Sequence, residues 1–387
     1  MRDSGFGTRD SGLLAATLRH LEHLVAFDTR NPPRRIDRGG IFEYLCQQLS
    51  GFELDLIDHG AGAVSLLALR GRPKLLFNVH VDTVPDSPHW SASPFDLRIG
   101  ADRAIGLGAC DIKGAAAAML AVAGASDGDC AFLFSSDEEA NDSRCVPAFL
   151  RKFTATGVTS PESRAPQFDA VIVAEPTRGE AVLAHRGINS VLMKFQGRAA
   201  HASAKQSRAD SALHQAVRWG AAALDFVDTR ADDAFGGLAG LRFNLGRIVG
   251  GIKANVIAPE AELRFGFRPL PSMDPDRLLE TFRELAQPEP AHFEETFRGP
   301  ALPSGSDDKA ESRHQAAQAL AGKLQLPVGA AVDFWTESSL FSAAGYTSFV
   351  FGPGDIAQAH TADEWVALPQ LASYADHLYR IVEHGHA

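Results

Sequence analysis

The sequence predicts an α/β protein: a mostly parallel sheet with flanking helices, interrupted by an inserted α+β sandwich. Short apolar runs bounded by glycine and proline alternate with longer stretches of helical period. Histidines and acidic residues fall at the ends of those runs rather than along helix surfaces. The stretch 188–298 has its own strand–helix–strand–strand–helix–strand pattern, after which the first pattern resumes.

Taken in order, residues 1–11 read as a loose polar tail. Leu14, Leu18, Leu21 and Val25 recur at helical spacing, and that helix must stop before Pro32 and Pro33. Residues 41–49 predict a second amphipathic helix, and 54–57, 64–69 and 75–81 predict strands. The alanine-rich 115–125 predicts a buried helix opened by Gly114. Residues 131–136 predict a strand running into Asp137-Glu138-Glu139, 147–153 a short helix, and 160–167 a Pro/Ser-rich loop. Residues 170–174 predict a strand running into Glu175-Pro176. The insertion reads strand 190–196, helix 211–227, strands 241–249 and 262–269, helix 274–285 and strand 292–298. Helices 311–324 and 337–344, strand 348–351 and helix 368–383 complete the first pattern. The expected division is therefore 1–187 with 299–387 as one domain and 188–298 as the other.

A chain of 387 residues has room for two domains with sizeable cores. Asp plus Glu number 48 against 37 Lys plus Arg, which leaves no basic stripe for nucleic acid. The four cysteines lie far apart with no C-x-x-C pair, against both a disulfide framework and a zinc finger. The N-terminus lacks the apolar core of a signal peptide, and no apolar run has the length to cross a bilayer. The expectation is a cytoplasmic protein with no membrane partner.

The stretch LLFNVHVDTVP, residues 75–85, anchors the chemistry. Alternation along a strand puts His80 and Asp82 on one face. Asp111, the Glu138-Glu139 pair, Glu175 and His360 add donors at well-separated points, several at strand ends, where ligands gather in open α/β sheets. Two histidines with carboxylates and no thiolate suit zinc, cobalt or manganese in a hydrolytic centre. A pair of metals needs a bridging carboxylate, and one carboxylate must stay free of metal to take a proton from the attacking water. Glu138 and Glu139 can divide those tasks, and Asp82 can hydrogen-bond the ring of His80. Taken singly, each of these residues reads as a turn, a cap or a solvated charge; only the set points to a site. No G-x-S-x-G elbow, G-x-G-x-x-G or P-loop lysine competes with it.

The stretches NVHVDTVP (78–85), GLGACDIKGAAAAML (106–120), SSDEEAN (135–141), VAEPT (173–177), GRAAHAS (197–203) and GPGDIAQAHTADEW (352–365) resemble, in order, the motifs of the M20 family of metallopeptidases and deacylases. The resemblance covers nearly the whole chain and implies a zinc-exopeptidase-like fold with an inserted lid and dimerisation domain. It implies His80 and Glu175 on one metal, Glu139 and His360 on another, and Asp111 bridging them. It puts Glu138 at the general base, Asp82 at the acid that orients His80, and His201 at the oxyanion, often that of the partner subunit. Asn255 and Arg268 match positions that contact the substrate carboxylate or backbone. One or two zinc or cobalt ions per subunit and a homodimer follow from the same resemblance. Asn78 and Leu107 depart from the Gly and Arg that many members have there. The GLG form and TRNPP look most like the acetylornithine deacetylase branch. With HWSASPF, VLAHRGINS, GGIKAN and DFWTESSLFSAAGYT, they imply hydrolysis of N-acetyl-L-citrulline to citrulline and acetate in arginine biosynthesis. Acetylornithine, another acyl amino acid or a dipeptide is the alternative substrate, with the loop around Glu337 expected to bear on the choice.

Overall fold

The computed structural model describes residues 9–33, 35–140, 143–154, 167–205, 209–306 and 308–384. Most of the expected tail and of the loop 160–167 lies outside the described residues. Residues 9–11, placed in the tail from sequence, instead open the first helix, Arg9–Ala26. The chain divides into two compact units, Met1–Leu183 with Gln315–Gly329 and Thr336–Ala387, and Ala184–His314 with Ala330–Trp335.

The first unit is built on a six-stranded sheet in the order Glu53–Gly60, Ala63–Arg70, Cys130–Ser135, Leu75–His80, Ala170–Val173, Thr347–Val350. The last four of these run parallel, and the first two form an antiparallel hairpin at the edge. Leu75–His80 and Cys130–Ser135 are buried on both faces, which is why they read as unbroken apolar runs. Phe77, Val79, Phe132 and Phe134 point to a core shared with helices Arg9–Ala26, Gly114–Ala125 and Leu368–His384. Leu76, Leu133, Val171 and Val173 point the other way, against Val146, Phe149 and Phe341. A three-stranded sheet of Trp365–Ala367, Arg103–Ile105 and Arg98–Ile99 is an element the sequence pattern does not signal. Strands of two or three residues are too short to show a period.

The second unit carries an antiparallel sheet ordered Arg242–Gly250, Glu260–Arg268, Ile188–Gln196, His292–Gly299. Helices Ala212–Asp228 and Pro275–Glu284 cover one face of it. Trp219 and Phe282 meet Phe265, Phe267, Val191 and Met193 there, and the Trp219 indole N–H donates to the Phe282 carbonyl at 2.8 Å. The other face is polar, with Lys194, Arg264 and Glu262 in ion pairs. This unit reaches beyond the expected 188–298, because His185 pairs its backbone with both Leu302 and Val332.

Candidate metal centre

Strand register builds the centre. His80 pairs with Ser135 and Asn78 with Val173, so three parallel strands end along one edge of the sheet. The turns leaving that edge carry Asp82, Glu138, Glu139 and Glu175. Asp111 arrives on the π-helical turn Ala109–Lys113, entered through Gly108 at φ 78° and containing a cis Asp111–Ile112 peptide. His360 follows the strand Thr347–Val350, with a backbone φ of 59°, uncommon for a residue with a β-carbon.

The side chains converge. His80 Nε2 lies 3.2 Å from Asp111 Oδ1 and 3.9 Å from Glu175 Oε2. His360 Nε2 lies 3.3 Å from Asp111 Oδ2 and 2.9 Å from Glu139 Oε1. Asp111 thus stands between two imidazoles, one on each oxygen. His80, Asp111 and Glu139 each present a donor atom within 4.8 Å of the others, a grouping able to hold a metal ion. His80 Nδ1 donates to the Asp82 carbonyl at 3.1 Å and lies 3.4 Å from Asp82 Oδ1. A carbonyl only accepts, so the proton sits on Nδ1 and Nε2 is left for the centre. Asp82 Oδ2 accepts from the Glu139 backbone N–H at 3.1 Å, tying the first histidine to the acidic turn.

The electrostatics ask for positive charge. Burial, reinforced by the neighbouring carboxylates, pushes Glu138 and Glu175 well above the usual carboxylate range. Burial raises Glu139 as well, although His360 works against it. Burial alone would keep His80 neutral, but Asp111 and Asp82 push its imidazole well above the usual range. Hydrogen bonds to Asp111 and then Glu139 push His360 up to about 10. Asp111 is itself buried, and the two imidazoles hold it well below the usual range. Without a cation Glu138, Glu139 and Glu175 are driven toward protonation and the two histidines toward the charged form. This nitrogen and oxygen donor set, free of thiolate, fits divalent ions.

His201, Asn255 and Arg268 belong to the second unit. His201 is exposed, its Nδ1 2.7 Å from Ser203 Oγ, and its backbone pairs with Val256. Asn255 accepts from the Ala202 N–H at 3.0 Å, so these two share one end of that unit. Arg268 does not join them. It closes the strand Glu260–Arg268 at the far end, half-buried and in the field of Asp333 and Arg186. At ~3.3 Å per residue, that separates Arg268 from Asn255 by more than about 20 Å.

Other residues at the centre carry no sequence signal of a role there, and Glu337 is marked only through the loop expected to bear on substrate choice. Asn31 donates to Asp82 Oδ2 at 3.0 Å and to the Ser136 carbonyl at 3.3 Å. Glu337 is buried, accepts from Ser135 Oγ at 3.3 Å, and is pushed up to about 8, chiefly by burial. Lys113 is buried too, donating to the Phe27 carbonyl at 2.9 Å and held down to about 7 by burial. Each pairs with something distant in sequence, so local pattern is silent about them.

A parallel sheet with a histidine–carboxylate cluster at the strand ends defines a class, and the comparisons agree with it. The model of peptidase family M20/M25/M40 matches residues 76–384, and the chain belongs to that family. Over 97% of its length the chain is 66% identical to an N-acetyl-L-citrulline deacetylase of Xanthomonas campestris pv. campestris, covering 99% of that protein. An acetylornithine deacetylase of Erwinia tasmaniensis is 28% identical, with 81% of each chain covered. Among solved structures, the Bacillus subtilis YXEP protein, a dinuclear metal binding peptidase from the M20 family, superposes with a TM-score of 0.64. The match covers 96% of this chain and 98% of that one at 13% identity, a likeness of fold. The chain is a hydrolase of this family. Among the described residues no helix is long and apolar enough to cross a membrane.

Proposed function

We propose that the chain hydrolyses the N-acetyl amide of N-acetyl-L-citrulline, releasing citrulline and acetate as a cytoplasmic step of arginine biosynthesis. The 66% identity over nearly the full length of a deacetylase with that substrate carries the reading. His80 and Glu175 would hold one zinc or cobalt ion, Glu139 and His360 a second, and Asp111 both. When bound, such ions supply Lewis acidity and make water a competent nucleophile near neutral pH.

The chain's own residues manage protons and orientation. Glu138 takes a proton from the attacking water as its oxygen bonds to the acetyl carbon. Glu138 then returns that proton to the α-amine as the C–N bond breaks, leaving acetate and the free amino acid. Asp82 keeps His80 in the tautomer that presents Nε2. His201 would offer an N–H to the oxyanion, and Asn255 and Arg268 would grip the substrate carboxylate or backbone.

One copy of the second unit cannot bring Asn255 and Arg268 to a single carboxylate, which favours two copies contributing to one site. Exposed Val217 and Leu224 on the helix Ala212–Asp228, and Ile248 and Val249 on the edge strand, support a homodimer through that unit. Sedimentation should give about twice the 41.4 kDa chain mass, and a strictly monomeric yet fully active protein would overturn the dimeric site.

The 28% identity to acetylornithine deacetylases keeps acetylornithine as the second reading. Turnover of acetylcitrulline, acetylornithine and a dipeptide, measured side by side, decides between them. The highest kcat/KM is expected for acetylcitrulline, and a preference for acetylornithine would reverse the assignment.

A further inference from the structure

One buried acid with no part in the proposed proton transfers holds the loop that carries Asp111. Glu364 is 1% exposed. Its Oε1 accepts from the backbone N–H groups of Cys110 and Asp111, each at 2.9 Å, and its Oε2 from that of Gly108 at 3.0 Å. Its own carbonyl accepts from the Gly106 N–H at 3.0 Å. The residues after it, Trp365–Ala367, pair with Arg103–Ile105 and continue the attachment. His360, four positions before it, meets Asp111 at 3.3 Å. A single short segment thus delivers one imidazole of the centre and clamps the backbone of the carboxylate that the imidazole meets.

The loop has little slack. A β-carbon on Gly108 would stand 2.7 Å from Thr83 Cγ2, and one on Gly354 would stand 2.5 Å from Cys110 Sγ. Bonds from peptide N–H groups to a carboxylate are about twice as strong as neutral ones, and here they converge on consecutive turns of one loop.

We propose that Glu364 is a positioning residue: its grip on the backbone of residues 108, 110 and 111 sets the Asp111 carboxylate between His80 and His360, and so tightens the centre for divalent metal. This rests on the metal-hydrolase reading above. A merely structural acid would support the fold without tuning metal affinity, so metal affinity is the quantity to read.

The test compares Glu364→Gln, Glu364→Asp and a neighbouring control, Asp363→Asn, with the unaltered full-length protein. Gln keeps the size and one acceptor but turns a donor on the Gly108 N–H. Asp keeps the charge and withdraws it by one methylene. Asp363 bonds to Ser91 and Arg98 instead of the Asp111 loop. Zn2+ affinity is measured by calorimetry on metal-stripped protein, the fold by near-UV circular dichroism, and turnover on acetylcitrulline.

Folded Glu364→Gln should bind Zn2+ about 10–100-fold more weakly, with kcat reduced on a similar scale and KM unchanged, while Asp363→Asn behaves as the parent. If Glu364→Gln is not recovered folded, Glu364→Asp carries the same comparison. Parental Zn2+ affinity in either folded variant, or equal weakening in Asp363→Asn, would overturn the proposal. An unaltered protein that binds no divalent metal would instead sink the metal-hydrolase reading itself.

Discussion

Glu138 and Glu139 are neighbours in sequence with different surroundings. Glu139 meets His360 at 2.9 Å, while Glu138 lies in the field of His80, Glu175, Glu139 and Glu337. Replacing Glu138 by Gln should lower kcat by about 10²–10⁴-fold, the usual contribution of a general base, with metal content unchanged by elemental analysis. Full turnover in that variant would remove Glu138 from the proton transfers. Asn31 tests the support beneath His80. Replacing Asn31 by Ala leaves buried Asp82 Oδ2 and the Ser136 carbonyl short of a donor, at a cost of about 1–3 kcal/mol. Thermal unfolding of the metal-free protein should show that loss, and kcat should fall with it as the Asp82 carboxylate beside His80 loses one of its two donors.

At the scale of elements, the site depends on how closely backbones approach. Gly352 follows the strand Thr347–Val350, and a β-carbon there would stand 2.4 Å from the Glu175 carbonyl oxygen and 2.9 Å from its nitrogen. Backbone must therefore move to admit Gly352→Ala. The displaced Glu175 should lower metal affinity in calorimetry while the rest of the fold persists; parental affinity would show the strand end to be more yielding than this packing implies. The three-stranded sheet around Trp365–Ala367 plays a comparable part for the Asp111 loop, and nothing in residue periodicity announces it.

At the scale of the molecule, cations and fold are linked. A centre that gathers buried carboxylates is destabilising when nothing neutralises them, and ions that bind only the folded chain stabilise it by mass action. Stripping divalent metal should lower Tm, and Zn2+ or Co2+ at a hundred times its dissociation constant should restore about 2.7 kcal/mol. Scanning calorimetry with and without chelator reads this directly, and a Tm indifferent to metal would count against the centre.

The sequence by itself determined the α/β alternation, and it marked an insertion and the candidate donors His80, Asp111, Glu139, Glu175 and His360, because strand period and donor chemistry are local properties. It placed Asp82 and Glu138 at the same edge for the same reason. It also set Asn255 and Arg268 to one task, and only the antiparallel register showed them at opposite ends of a sheet. Asn31 acts on Asp82 across 51 positions, and Glu364 acts on Asp111 across 253. Glu364 answers to backbone N–H groups, which every residue but proline carries alike, so no residue pattern marks an acid that binds them. Tertiary structure alone decides which carboxylate those groups meet.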